Sequence, residues 1–179
     1  MKPPHWSIDP RELAAAFTER TRAVVLNTPL NPSASVMGAE DLRLIAEQCL
    51  KHDCVAISDE VWEHCVFDGA SHGSMLNMPG MRDRTIKIGS AGKMFSMTGW
   101  KVGFACAAPK LTEAFAKAHQ FLTFTTPPNL QQAVAFGLCK TKEHFDGMRQ
   151  QLTQARDRLA DALTSEGFAT LPAAGTYFM

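Results

Sequence analysis

Neither sign of charge prevails in this 179-residue sequence, where 18 lysines and arginines meet 18 aspartates and glutamates. Without a basic surplus there is no electrostatic footprint for nucleic acid, and none for an anionic membrane surface. Long apolar runs are missing too: none approaches the ~18–20 residues of a membrane span, and no signal peptide opens the chain. Paired CxxC spacing is absent among Cys49, Cys54, Cys65, Cys106 and Cys139, an odd set of which four sit inside apolar runs. That pattern argues against a disulfide framework and a secreted setting, and for free thiols acting as small buried hydrophobes. The histidines are scattered, and Glu63-His64 lacks the second histidine of a helical zinc motif, so no metal is expected. What is left is a soluble, cytoplasmic protein whose partners are small molecules or other proteins, not nucleic acid or membrane.

What is present is globular. Hydrophobic residues make up 45% and charged residues 20% of the chain, enough for a core in one domain or slightly more at ~100–200 residues per domain. Asp9-Pro10-Arg11-Glu12 reads as a capping box opening a short helix, with Leu13, Ala16 and Phe17 on one face. Ala23–Leu26 is a continuous apolar run that suits a strand buried on both faces. Leu42, Ile45, Ala46, Cys49 and Leu50 then recur at helical spacing, with acids at the start and bases at the end to match the helix dipole. Cys54–Ile57 and Thr85–Ile88 predict two more buried strands, and strand–helix–strand spacing implies crossovers and a mostly parallel sheet.

Further strands are predicted over 101–108, 168–171 and 176–178. Helices are predicted over 111–121, from Pro127-Pro128 onward, and over 142–165. The last carries a seven-residue stripe (Phe145, Leu152, Leu159) that reads as packing within one molecule more readily than as a coiled coil. No internal repeat or low-complexity stretch appears. The apolar ending Tyr177-Phe178-Met179, with no closing polar turn, reads as that of a fragment.

Ligands of open α/β sheets gather outside the carboxyl ends of the strands. Three polar clusters stand there: Asn27–Asn31, Ser58–Glu60 and Gly89–Lys93. The last is not a P-loop, because Lys87 takes the leading glycine position and Met94 follows the lysine. Ser90-x-x-Lys93 lacks the SDN and KTG companions of penicillin-binding enzymes, and no GxSxG elbow occurs. What remains is a lysine in a small-residue loop, with Ser90 three before it and Lys101 eight after it. Small residues admit a bulky ligand, a hydroxyl and a second cation can clamp a phosphate, and a desolvated lysine can condense with an aldehyde. Pyridoxal 5'-phosphate (PLP) makes all three demands, although a surface loop with incidental lysines would also account for this motif alone. Asp59 could pair a protonated pyridine nitrogen or merely cap a strand end. Asn31 could donate to a phenolate oxygen or simply form a turn.

Asn27-Thr-Pro-Leu-Asn-Pro32, Ser58-Asp-Glu-Val-Trp-Glu63 and above all Gly89-Ser-Ala-Gly-Lys-Met-Phe-Ser-Met-Thr-Gly-Trp-Lys-Val-Gly103 together resemble the class I/II (fold type I) PLP-dependent aminotransferases. The resemblance is nearest to their kynurenine, glutamine and methionine aminotransferase branch and covers essentially the whole chain. Gly175-Thr-Tyr-Phe178 is similar to the family's entry to its small domain.

The resemblance implies an α/β fold with a three-layer, mostly parallel sheet. Residues 1–141 would be the second half of the PLP-binding large domain, and 142–179 the connecting helix and start of a small α+β domain. It implies Lys93 as the Schiff-base lysine and proton shuttle, Asp59 as partner of the pyridine nitrogen, and Asn31 as donor to the phenolic oxygen. Ser90 and Lys101 become phosphate ligands, although many relatives carry arginine at the latter position. Trp62 stands in the cofactor site where tyrosine is usual and offers an N–H but no hydroxyl; Ala34 replaces a customary glycine. The implied activity is transamination between an amino acid and a keto acid in a homodimer. The alternatives are a β-lyase on sulfur amino acids, or a fragment without activity of its own. The family's ring-stacking aromatic, Gly-rich phosphate loop and substrate-binding arginine have no counterpart in these residues.

Overall fold

The computed structural model describes residues 1, 3, 4 and 6–179. Helix α1 (Pro10–Ala16) begins as its sequence predicts: Asp9 Oδ1 accepts from the Arg11 N–H at 2.7 Å and the Glu12 N–H at 3.0 Å, and Pro10 occupies the first turn. Four strands follow in chain order across one sheet: β1 (Ala23–Asn27), β2 (Val55–Asp59), β3 (Thr85–Ser90) and β4 (Gly103–Ala107). The first three run parallel, with Asn27 opposite Asp59 and Asp59 opposite Ile88. β4 pairs antiparallel with β3, Ser90 standing opposite Gly103. The short 91–102 connection accounts for this, because it holds only small turns where a parallel return would need a crossover helix.

The two faces of the sheet differ sharply. Leu26 and Ala56 lie on the side covered by α2 (Ala39–Lys51), whose Leu42, Ile45, Ala46 and Cys49 form the main core with Met75 and Met81. Val25 points to the other side and is 72% exposed, so β1 is not buried on both faces as its apolar run suggests. Val55, Ile57, Ile86 and Ile88 on that side are half-buried. Cys49, Cys54 and Cys65 are buried free thiols, and burial pushes Cys49 and Cys65 up to about 11. Cys106 and Cys139 are exposed, contrary to the inference from their apolar neighbours, because one lies on the edge strand β4 and the other at the end of a surface helix.

Helices α4 (Pro109–Leu122), α5 (Pro128–Leu138) and α6 (Lys142–Ser165) complete the chain. No helix among the described residues is long and apolar enough to cross a membrane. On α6, Phe145 stacks on His64 with ring centroids 4.0 Å apart, while Leu152 and Leu159 line a concavity with Phe67, Tyr177 and Phe178. The seven-residue stripe therefore packs within the molecule, but only in part, since Leu159 remains exposed. Arg156 fixes α6 to the body: its guanidinium bonds both carboxylate oxygens of Asp68 (2.6 and 2.9 Å), donates to the Ala173 carbonyl (2.9 Å) and lies over the Phe67 ring. The strands predicted over 168–171 and 176–178 do not form. A strand exists only with a partner to take its hydrogen bonds, and here a single bridge, Val66 to Gly175, is made.

Glu60 is the one charged side chain wholly buried among the described residues. Its Oε1 accepts from Ser58 Oγ (2.9 Å), Ser74 Oγ (2.9 Å) and the Met75 N–H (3.2 Å). Its Oε2 bonds His72 Nε2 at 2.9 Å and lies 3.6 Å from the Lys87 ammonium, which also bonds Glu63. Burial pushes this carboxyl upward, but the donors from His72, Ser58 and Ser74 outweigh it and hold Glu60 below its ordinary 4.5.

Two outcomes are expected. Leu42→Ala, in the closed core, should cost about 2–5 kcal/mol in denaturant unfolding. Because the folded pKa of Glu60 is depressed, its contribution to stability is present above the ordinary carboxyl value and lost as pH falls through the folded one. Melting temperature followed from pH 7 to pH 3 should therefore fall more steeply in the parent than in Glu60→Gln; parallel curves would contradict the assignment.

Candidate functional site

The carboxyl ends of the parallel strands are tied together through the backbone of Asp59. Its carbonyl accepts from the Thr28 N–H and from Asn27 Nδ2, each at 3.0 Å, and the next N–H, of Glu60, donates to the Ile88 carbonyl at 2.9 Å. Strand alternation sends Ser58 and Glu60 to the core side and Asp59 to the open side. Among the described residues the Asp59 carboxylate accepts only a long 3.3 Å bond, from the Val61 N–H. Asn31 joins the same end of the sheet through Asn27, whose Oδ1 accepts the Asn31 N–H at 2.8 Å. Asn31 itself is exposed.

Ser90 closes β3 on the face that carries Asp59, two residues beyond Ile88, the register partner of Asp59. It is the N-cap of the single-turn helix α3 (Ala91–Met94), yet its hydroxyl makes no capping bond and is left for another partner. Lys93 lies on that turn. A Cβ on Gly92 would come within 2.9 Å of the Thr98 Cα, so glycine is what lets the following 3-10 turn, Thr98–Trp100, close against α3. Lys101 ends that turn in the left-handed region at φ 56° and is exposed. Its neighbour Val102 accepts the Ala91 N–H at 3.1 Å, which ties the Lys101 turn to the start of the Lys93 turn.

Lys93 is half-buried and makes no salt bridge among the described residues. Its Nζ donates to the Tyr177 hydroxyl at 3.3 Å and lies 5.1 Å over the Trp62 ring centroid. Trp62 is buried, with Tyr177 set edge-on against it at 4.3 Å. The surroundings of the ammonium are a phenol hydroxyl and two aromatic rings, with no carboxylate paired to it among the described residues.

Asp59, Asn31, Ser90, Lys93 and the Lys101 turn thus collect at one end of the sheet, and Trp62 walls the Lys93 side. Further participants received no role in the sequence reading. Asn27 could have been found from strand register, since it faces Asp59. Tyr177 is the one tyrosine in the chain, but no local spacing links it to a lysine 84 residues away. The Glu60–His72–Lys87 cluster draws on separated segments and leaves no motif. Glu60, Glu63 and His72 place ligand atoms within 4.8 Å of one another, but the ammonium of Lys87 already supplies the cation that this grouping requires.

The model of the family "Aminotransferase class I and II" matches residues 1–179. The kynurenine–oxoglutarate transaminase of Dictyostelium discoideum is 42% identical over 98% of this chain and 41% of its own length. The methionine aminotransferase of Escherichia coli is 40% identical over 100% of this chain and 46% of its own. Among solved structures, N-succinyldiaminopimelate aminotransferase from Mycobacterium tuberculosis superposes with a TM-score of 0.95 at 41% identity, over 99% of this chain and 46% of that one. The chain spans less than half the length of these relatives. Matched along its whole length in sequence and in fold, it belongs to the class I and II aminotransferase family.

Proposed function

We propose that this chain carries the lysine-bearing half of a PLP-dependent aminotransferase site and serves transamination between an amino acid and a keto acid. The observation that carries this reading is Lys93: half-buried, without a counter-ion, one turn beyond a free serine hydroxyl at the end of a strand. Class I and II aminotransferases depend on PLP, and the residues here fit that group. An amine bonded only to a phenol hydroxyl among the described residues, a hydroxyl with no capping bond, a glycine-tight turn and a loosely held carboxylate share one sheet end.

PLP supplies an aldehyde that captures amines and a ring that draws electrons from the captured carbon. Lys93 Nζ would bind that aldehyde at rest and, once released, take and return the proton at the α carbon of the amino acid. The Tyr177 hydroxyl orients the amine, and the Trp62 face keeps water from one side of it. Asp59 would hold the proton on the pyridine nitrogen; its carbonyl and the following N–H, both bonded to neighbouring strands, keep its backbone still. Ser90 and Lys101, on either side of the Lys93 turn, would bind the phosphate, and Asn31 would donate to the phenolic oxygen.

Residues 1–141 would act as the cofactor-binding portion, with 142–179 the connecting helix and the start of a second, smaller domain. A homodimer is supported by the apolar surface at Phe121, Leu122, Phe124 and Phe136, all exposed. The five unpaired cysteines suit a reducing compartment such as the cytoplasm.

Borohydride treatment of the natural protein with PLP should fix the cofactor on the peptide containing Lys93. A label on Lys87 or Lys101 would overturn the assignment. Lys93→Ala should abolish turnover and leave the melting temperature within a few degrees. Asp59→Asn keeps the shape but loses the charge, and kcat should fall on the order of 10²–10⁴-fold, the range of other preorganised electrostatic groups.

A further inference from the structure

We propose that Glu60 is a positioning residue for Asp59: from the buried side of β2 it fixes the strand end so that the Asp59 carboxylate is presented on the open side. The inference rests on the proposed role of Asp59 and extends it to a side chain that touches neither cofactor nor substrate.

Asp59 closes β2 and Glu60 is the next residue, so the two share a peptide, Asp59 half-buried on the open side and Glu60 wholly buried on the core side. Asp59 is poorly held by its own side chain, with one long contact to the Val61 N–H. Glu60 is the reverse. Its two oxygens accept from Ser58 on β2 and from His72, Ser74 and the Met75 N–H on one loop, and the ammonium of Lys87 on β3 lies 3.6 Å away as an ion pair.

Stability does not call for such an arrangement, since well-packed apolar residues commonly match or exceed a buried ionic cluster. What the cluster does provide is a single geometry, because the groups converge on the two oxygens from three segments: β2, the loop carrying His72, Ser74 and Met75, and β3. The peptide between the two acids is then fixed by the Glu60 side chain, by the Asp59 carbonyl bonds to Thr28 and Asn27, and by the Glu60 N–H bond to Ile88. A carboxylate standing on so rigid a base needs few contacts of its own to keep its aim. An error of about 1 Å in the placement of such a group carries a large penalty.

A double-mutant cycle in the natural protein tests this, with PLP titrated into cofactor-free protein. The readouts are the dissociation constant and the absorbance maximum of the bound cofactor; melting of the cofactor-free protein serves as control. Glu60→Gln should weaken PLP binding about 10-fold, the scale of other groups that orient a binding residue from behind, and should move the absorbance maximum. In an Asp59→Asn background the same substitution should change affinity less than about 2-fold, because the residue through which it acts is gone. Equal effects in both backgrounds would overturn the proposal and leave Glu60 a purely structural residue. A Glu60→Gln protein that binds PLP as the parent does would overturn it as well. Should Glu60→Gln fail to fold, Ser74→Ala removes one donor from Glu60 and keeps the charge; a loss of about 3-fold is expected, again absent in Asp59→Asn. If Asp59→Asn itself binds PLP with the parent's affinity and spectrum, the reading of Asp59 fails and this inference falls with it, whereas additivity defeats the inference alone.

Discussion

An ionised carboxylate cut off from water needs a donor for each lone pair, and at Glu60 that need is met only by bringing several segments to one point. Ser58 comes from β2, Lys87 from β3, and His72, Ser74 and the Met75 N–H from the loop between them. If any one of these segments shifts, a buried polar group is left unsatisfied, at a cost of about 1–3 kcal/mol or more when it is charged. The end of β2 is therefore fixed from below, and the end of β1 follows, because the Asp59 carbonyl is what Thr28 and Asn27 bond to.

The two sides of the sheet divide the work. The side under α2 is closed and apolar around Leu42, Met75 and Met81, with the Glu60 cluster at its upper rim. The opposite side is half-open and lined by isoleucines and valines that end in Asn27, Asp59 and Ser90. The turn that bears Lys93 is closed by the bonds of Ala91 to Val102 and Met97 to Gly92 and by Thr98 Oγ1 to the Gly92 carbonyl, none of which uses the Ser90 hydroxyl or the Lys93 amine.

Local signals in the sequence carried most of the fold. The α1 cap, the three parallel strands and α6 are each written in a short stretch: an Asp-Pro pair, a β-branched run, a spacing of seven. The direction of β4 was not, since it depends on how little chain the 91–102 turn leaves for a crossover. The failed strands near the end look β-like in composition and lack neighbours to pair with. That Lys93, Ser90 and Asp59 stand at one end of the sheet was legible because each follows or closes a predicted strand. Their partners were not: Tyr177 reaches Lys93 across 84 residues, and His72 and Lys87 reach Glu60 from separate segments. Side chains that converge through tertiary packing obey no spacing in the chain.

The fork that Arg156 makes with Asp68, together with its bond to the Ala173 carbonyl, joins the middle of α6 to the segment that leads to Tyr177. That segment is stitched to the body in its own right: the Ala174 and Gly175 N–H groups donate to the Ala34 carbonyl, the Phe67 N–H to the Ala174 carbonyl, and the Thr176 N–H to the Cys65 carbonyl. Four residues on from Ala173 stands Tyr177, whose hydroxyl meets Lys93. The phenol beside the lysine is therefore carried by a run of backbone bonds that reaches from Ala34 to Cys65, and the 173–177 segment is a wall of the Lys93 site, not a surface tail.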